Sequence, residues 1–396
     1  MSTKLINMFS SKFFRVSSST ILLILVIIGQ VLVRPMPGEI SINPRVLTDD
    51  GVWYSIKSLI FSGEEKQEAA DKTISWWNQY REMYNPEFKE INVVYDLDVT
   101  DKFFGHRIIY PAATAYFVSV FDFFGLLVIP ILAFSGIWLL LSLLLFKNRP
   151  VGYFIPLFIL AGSSHYVGNA ISTAGTDIIL AFLIFLFVFS FIRFRRNNIQ
   201  VIILLNLIIF LGNFTRPSLI YWILLCLCAI FIQYVDKTYS RLRQLLLGST
   251  YLLNNLACYL YIENKWQSFS IIQSFDYYPR NIEIDTFIRR AISSFFSDGV
   301  TILAKDFNLL LLCILAALYA TTLTLRFIQN HFGKLKPKPI NFDDDIQFII
   351  FTFAVIVAVL TPIIFTGIAG IRLRFYLPLF PLITYLAARQ LEKSTK

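Results

Sequence analysis

Ten long apolar stretches, separated by short charged loops, dominate the chain. A helix that crosses a membrane needs about 20 apolar residues, or somewhat fewer when flanking side chains reach the interface. The last stretch is interrupted by Pro378 and Pro381, and such a break is tolerated where the backbone packs against protein or faces a cavity. The pattern predicts an all-α integral membrane protein with about ten transmembrane helices. The predicted spans are 17–34, 123–146, 151–168, 176–192, 199–213, 217–234, 244–262, 307–326, 346–366 and 374–388.

Composition agrees with this class. Hydrophobic residues make up 56% of the 396 residues and charged residues only 15%, which excludes a soluble globule. The formal net charge of +9 is spread over many short loops, without the basic stripe of a nucleic-acid-binding protein. We therefore expect membrane lipids, and no nucleic acid, among the partners. No internal repeat divides residues 1–396, so we expect a single transmembrane domain.

Lys and Arg in the short loops predict the orientation. Cytoplasmic loops of membrane proteins carry an excess of these residues, and here they cluster near 147–149, 193–196, 237–243, 326–338 and 389–396. All these clusters and the N-terminus fall on one side if the chain has ten spans. Both termini are therefore predicted to be cytoplasmic. Residues 35–107, which are acidic overall, and residues 263–306 are then the two long outer loops.

Two further helices are predicted at the outer surface. In the segment GVWYSIKSLIF, Trp53, Ile56 and Ile60 recur at helical spacing, which predicts an amphipathic helix lying on the outer face of the membrane. Residues 108–121 are apolar, but a span there would put two basic loops on opposite sides. An interfacial or half-inserted helix is the better interpretation.

Carboxylates at the outer ends of the spans are candidates for chemistry. Asp49 and Asp50 open the amphipathic helix; aspartate is a preferred N-cap, yet a second aspartate leaves one for a general base or metal ligand. Asp177 precedes the fourth span, and helix capping again competes with a functional partner. His165 and Tyr166 end the preceding span, where histidine is more often a hydrogen-bonding residue than a ligand or acid.

Arginines also lie at the outer ends, where the positive-inside rule disfavours them. Arg216 stands in NFTRPSLIYW, and Arg372 and Arg374 stand in GIAGIRLRFYLPLFP. Arginine holds phosphate through two parallel hydrogen bonds. The alternative is that these arginines extend to the interface or pair with outer carboxylates such as Asp177. We favour phosphate binding.

Several of these segments resemble the GT-C superfamily of polytopic glycosyltransferases, which use polyprenyl-phosphate-linked sugars. DDGVWY is similar to the acidic-pair motif in the first outer loop of aminoarabinose transferases and protein O-mannosyltransferases. The other similar features, in chain order, are HRIIYP with His106 and Arg107, Asp177 after two short spans, TRP at Arg216, and RFYLPLFP. The resemblance covers roughly residues 17–240 and 346–390. The chain departs from the family in having Asp50 where Glu is common, and in lacking a large C-terminal soluble domain.

The resemblance implies a reaction and its partners. A polyprenyl-phosphate sugar would donate to a glycan, lipid or protein acceptor, with inversion, on the outer face of a bacterial inner membrane. Asp49 or Asp50 would be the catalytic base, with the family motif favouring Asp49. His106, Arg107, His165, Tyr166, Asp177, Arg216, Arg372 and Arg374 would bind substrate. No cofactor is implied, although a divalent cation at Asp49 and Asp50 is compatible with the motif.

A second class stays open. A flippase, polymerase or transporter for lipid-linked glycans would also combine many spans with outer arginines. Such a carrier more naturally places charges at mid-membrane and often contains internal repeats. Here the charges lie at span ends and no repeat is present, so the glycosyltransferase is the preferred interpretation.

Overall fold

Every regular element in the described part of the chain is helical. The structure, a computed structural model, describes residues 21, 25, 49–84, 105, 107–145, 155–162, 164, 175–194, 199–216, 219–235, 241–266, 306–332, 342–366 and 376–394. The helices are α1 (Asp49–Phe61), α2 (Lys66–Tyr84), α3 (Ile109–Phe121), a 3-10 helix (Asp122–Leu127), α4 (Val128–Leu145), α5 (Ile155–Gly162), α6 (Asp177–Arg193), α7 (Ile199–Thr215), α8 (Leu219–Val235), α9 (Arg241–Trp266), α10 (Phe307–Phe332), α11 (Asp344–Thr366) and α12 (Leu379–Ser394).

Three helical stretches are long and apolar enough to cross a membrane. They are Ile109–Leu145, Leu245–Trp266 and Phe307–Gln329, and α7 and α8 are shorter apolar helices. The chain is therefore an all-helical membrane protein. Each predicted span from 123–146 onward contains or overlaps a helix, but the count of ten spans stays a prediction. The predicted first span, 17–34, lies almost entirely outside the described residues.

Helix α6 forms the centre of the bundle. It is apolar on all sides, as expected of a helix enclosed by others, and it packs against α4, α7, α11 and α12. The Phe187 ring makes edge-on contacts with Trp222, Tyr251 and Phe351, from three different helices. Enclosure of α6 fixes the position of its first residue, Asp177, relative to the surrounding helix ends.

Helix α1 is buried inside the protein, contrary to the prediction of a helix lying on the membrane surface. Trp53, Tyr54, Ser55 and Ser58 are all at most 2% exposed, and α1 packs against both α2 and α3. The periodicity of its large apolar residues predicted only one buried face, because the serines on the other face count as polar. Their hydroxyls are accommodated in the fold; Ser58 Oγ, for example, donates to the carbonyl of Tyr54 at 2.7 Å.

Helix α2 has the amphipathic pattern that was predicted for α1. Buried Ala69, Ala70, Thr73, Trp76 and Trp77 follow helical spacing and form one face, while the opposite face is exposed. Their spacing places them on one side of the helix. The predicted outer loop 35–107 therefore contains one enclosed helix and one that covers it.

The chain reverses direction after α3. Asp122 has a positive φ of 52°, and the Tyr110 hydroxyl donates to the carbonyl of Leu126 at 2.7 Å. A Cβ at Gly125 would lie 2.3 Å from the backbone of Phe117, so only glycine permits this approach. The 13 residues of α3 rise about 20 Å, short of the roughly 30 Å hydrocarbon core. These features fit a half-inserted helix at residues 108–121, which stays a prediction.

The orientation can be tested by cysteine accessibility. Ser62 lies exposed in the turn between α1 and α2, and Gly333 belongs to a loop predicted to be cytoplasmic. In a variant lacking the four native cysteines, we expect Ser62→Cys to react with a membrane-impermeant maleimide added outside intact cells. Gly333→Cys should react only after the membrane is permeabilised. Labelling of Gly333→Cys alone from outside would reverse the orientation and remove the outer-face site.

Candidate active site

An ion pair joins two of the predicted site residues at the start of α6. Arg216 Nη1 pairs with Asp177 Oδ1, and both side chains are mostly buried, with 11% and 14% exposure. Asp177 is the first residue of α6, where a negative charge is favoured by the helix dipole. Arg216 directly follows α7, and its amide donates to the carbonyl of Gly212 at 3.0 Å. The pairing of Arg216 with Asp177, one of the alternatives considered from sequence, is therefore present.

A second arginine reaches the same helix end through a tyrosine. Arg107 Nη1 donates to the hydroxyl of Tyr54 at 2.8 Å, and that hydroxyl lies 3.4 Å from Thr176 Oγ1. Thr176 is buried and is the neighbour of Asp177 in sequence. Arg107 and Arg216 thus approach the start of α6 from two segments more than 100 positions apart. We call Tyr54, Arg107, Thr176, Asp177 and Arg216 the polar cluster.

Two more tyrosines lie near this end of the bundle, one of them interacting with Arg216 and the other with the first tyrosine. Tyr221, near the start of α8, interacts electrostatically with both Arg216 and Tyr376. Tyr376 lies just before α12, so the segment that carries the predicted Arg372 and Arg374 leads directly into this neighbourhood. Arg372 and Arg374 themselves lie outside the described residues. Hydroxyl and guanidinium donors together favour binding of an anion.

The remaining predicted residues are placed only in part. Asp49 and Asp50 begin α1, five and four residues before Tyr54 respectively; their side chains are not among the described ones. His106, His165 and Tyr166 lie outside the described residues. The neighbour of His165 is described: Ser164 Oγ donates to Asp306 Oδ2 at 2.7 Å.

Asp306 was not singled out from the sequence. It is buried and caps α10 by accepting the amide of Leu309 at 3.0 Å. The signal was an aspartate three residues before an apolar run, a pattern typical of an N-cap. Its bond to Ser164 additionally links the start of α10 to the segment after α5.

A separate charged cluster joins α10, α11 and α12. Asp345 accepts hydrogen bonds from Tyr319, from Tyr385 at 2.8 Å, and from Arg389 through Nε and Nη2 at 3.0 and 2.8 Å. Arg389 also pairs with Glu392. From Leu379 to Arg389, α12 rises about 15 Å, so this clamp is well separated from Tyr376. Sequence analysis assigned Arg389 only to membrane topology.

The charge state of this clamp follows from its hydrogen bonds. Asp345 lies just before the predicted span 346–366. Burial alone would raise the pKa of Asp345, but the hydrogen bonds from Arg389 and Tyr319 outweigh burial and hold the pKa below its ordinary value. The carboxylate therefore stays ionised and links the three helices.

A metal site is not apparent in the described part of the chain. No three His, Cys, Asp or Glu side chains come together there, and the side chains of Asp49 and Asp50 fall outside that search. What the described residues offer is a partly buried pair of arginines, one oriented by a carboxylate and one by a phenol. Such groups can hold a phosphate and stabilise negative charge that develops on it.

Comparisons with known proteins do not extend this picture. The chain matches no family model, no curated protein and no solved structure. The functional conclusion accordingly rests on the residues of the chain and their geometry.

Proposed function

We propose that the protein is a membrane glycosyltransferase of the GT-C type, which transfers a sugar from a polyprenyl-phosphate donor to an acceptor on the extracytoplasmic face. One observation carries the proposal. Four segments that the predicted topology would put on the outer side converge in the polar cluster: α1, the residues just before α3, the start of α6 and the end of α7. Convergence of arginines at helix ends, away from the basic loops, suits a phosphate at headgroup level.

In this proposal the arginines receive the donor's phosphate. Asp177 holds the guanidinium of Arg216 in a fixed orientation, and Tyr54 does the same for Arg107. Donors that are already oriented stabilise developing charge without a reorganisation cost during the reaction. Arg372 and Arg374 would approach from the segment before Tyr376.

The reaction is a single displacement at the anomeric carbon. The acceptor hydroxyl oxygen forms a bond to that carbon while the bond from the carbon to the phosphate oxygen breaks. Asp49 or Asp50 takes the hydroxyl proton, and polyprenyl phosphate leaves with the electron pair. The configuration at the anomeric carbon is inverted. No nucleotide sugar takes part, in agreement with the absence of a phosphate-binding glycine motif from the sequence.

The products distinguish this proposal from a lipid-linked glycan carrier. Protein purified into nanodiscs would be mixed with radiolabelled polyprenyl-phosphate mannose, glucose or aminoarabinose, and with lipid, glycan and peptide acceptors. We expect one donor to yield labelled acceptor together with an equal amount of polyprenyl phosphate. Movement of intact donor across proteoliposome membranes, with no bond broken under any of these conditions, would contradict the proposal in favour of a carrier.

A further inference from the structure

Helical register separates the two aspartates of α1. Successive residues of an α-helix are rotated by about 100°, so residues four apart are offset by about 40° and residues five apart by about 140°. Asp50 precedes Tyr54 by four residues, whereas Asp49 precedes it by five. Asp50 and Tyr54 therefore share a face of α1, and Asp49 shares a face with Trp53 instead.

The face of α1 that contains Tyr54 is the one in contact with the polar cluster. The Tyr54 hydroxyl lies 2.8 Å from Arg107 Nη1 and 3.4 Å from Thr176 Oγ1. Its ring meets Tyr110 edge-on, with centroids 4.8 Å apart. One turn further along, Ser58 Oγ lies 2.7 Å from Thr114 Oγ1. This row of contacts fixes the rotation of α1 about its own axis.

The rotation of α1 about its axis determines which of the two aspartates lies on the helix face nearer the polar cluster. Asp50 lies roughly 6 Å along the axis from Tyr54 and within about 40° of it, which places residue 50 on the side of Arg107 and Thr176. Asp49 is rotated by a further 100° or so. The hydrogen bond from Arg107 Nη1 to the Tyr54 hydroxyl links this face of α1 to the cluster.

We infer that Asp50, and not Asp49, is the carboxylate that accepts the acceptor's proton, and that Tyr54 is a positioning residue that fixes the rotation of α1 and thereby the face on which residue 50 lies. The inference rests on the proposed function and reverses the preference for Asp49 that the family motif implies. Tyr54 acts by linking α1 to Arg107 and to the start of α6. It does not touch the reacting atoms.

The test is a set of single and double variants assayed for transfer. Asp50→Asn should lower kcat by about 10²- to 10⁴-fold, the contribution of a general base, while Asp49→Asn stays near wild type. Tyr54→Phe removes a hydrogen bond to a charged group, so we expect kcat to fall by about 10- to 100-fold, with little change in KM for the donor. A general loss of structure would instead reduce the active fraction and the thermal midpoint.

Non-additivity gives the sharper measurement. When two residues act as a unit, the double variant shows a smaller fold-reduction in kcat than the product of the two single-variant reductions. Tyr54→Phe should therefore reduce kcat little further when Asp50→Asn is already present. In the Asp49→Asn background, Tyr54→Phe should reduce kcat by its full factor. Tyr110→Phe is the matched control: it removes a hydroxyl from the partner ring, whose bond goes to Leu126, and should lower the thermal midpoint without lowering kcat of the folded protein.

The possible failures are distinguishable. If Asp49→Asn abolishes transfer and Asp50→Asn does not, the assignment is overturned while the glycosyltransferase stands. If the fold-reduction in kcat of the double variant equals the product of the Tyr54→Phe and Asp50→Asn reductions, the positioning role of Tyr54 is overturned. If neither aspartate variant lowers transfer, both the base assignment and the positioning role are overturned while the glycosyltransferase stands. If the wild-type protein transfers sugar from none of the donors, the proposed function fails together with the inference.

Discussion

Replacement of Arg216 by alanine should abolish donor use. Loss of one oriented donor to a developing anion costs about 10²- to 10³-fold in rate, and a charge lost from the phosphate site also weakens ground-state binding. We expect transfer to fall below detection and binding of polyprenyl phosphate to be lost. Binding can be measured with radiolabelled polyprenyl phosphate, using polyprenol, which lacks the phosphate, as the matched ligand control.

The stability effect of the ion pair requires its own control, because Arg216→Ala also removes a partner of the mostly buried Asp177 carboxylate. Breaking a buried pair costs roughly 3–5 kcal/mol of stability, so abundance and thermal midpoint must be compared. Arg216→Lys keeps the charge but loses the planar fork; we expect folded protein with weakened donor use. Asp177→Asn combined with Arg216→Gln removes both charges. If this double variant transferred sugar normally, the pair would be purely structural.

Loss of the Asp345 carboxylate should give the largest stability effect outside the polar cluster. Asp345→Ala removes the shared partner of Arg389, Tyr319 and Tyr385. Because Glu392 still pairs with Arg389, we expect the lower end of the usual range, about 3 kcal/mol, measured as a fall in thermal midpoint in detergent. Asp344→Ala is the matched control on the same helix turn, where an exposed acid near a helix start contributes at most about 1 kcal/mol.

Acid should weaken the same clamp. The folded pKa of Asp345 lies below its unfolded value, so its contribution is fully present above the unfolded pKa and is lost as pH falls through the folded pKa. The wild-type midpoint should drop on the acid side of pH 4, and Asp345→Asn should start lower and show less of this drop. An identical acid profile for both proteins would contradict the assignment.

Much of the helical framework could be predicted from the apolar runs. The predicted spans 176–192 and 199–213 differ by at most two residues at either end from α6 and α7, because unbroken apolar runs in a membrane have few alternatives to a helix. The sequence also singled out Arg107, Asp177 and Arg216 as candidates, since arginines and carboxylates at the predicted outer ends of spans have no topological reason to be there. Their mutual contacts were not predictable beyond one suggested pairing.

The errors came from assigning partners by pattern. Helix α1 was placed on the membrane surface because Trp53, Ile56 and Ile60 alone gave it one apolar face. Its serines are buried as well, since α2 and α3 enclose it. Arg389 was assigned to topology, because its partner Asp345 lies 44 positions earlier and no local pattern connects them.

The sequence by itself determined the class of the protein, the positions of most helices and the polar residue types at their ends, because these depend on local apolar length and on local charge. Tertiary structure decided which of those residues meet. Enclosure of α6 places Asp177 beside Arg216, and packing of α1 on α3 places Tyr54 beside Arg107. Such long-range pairings depend on how whole helices pack against one another, and only the fold specifies that arrangement.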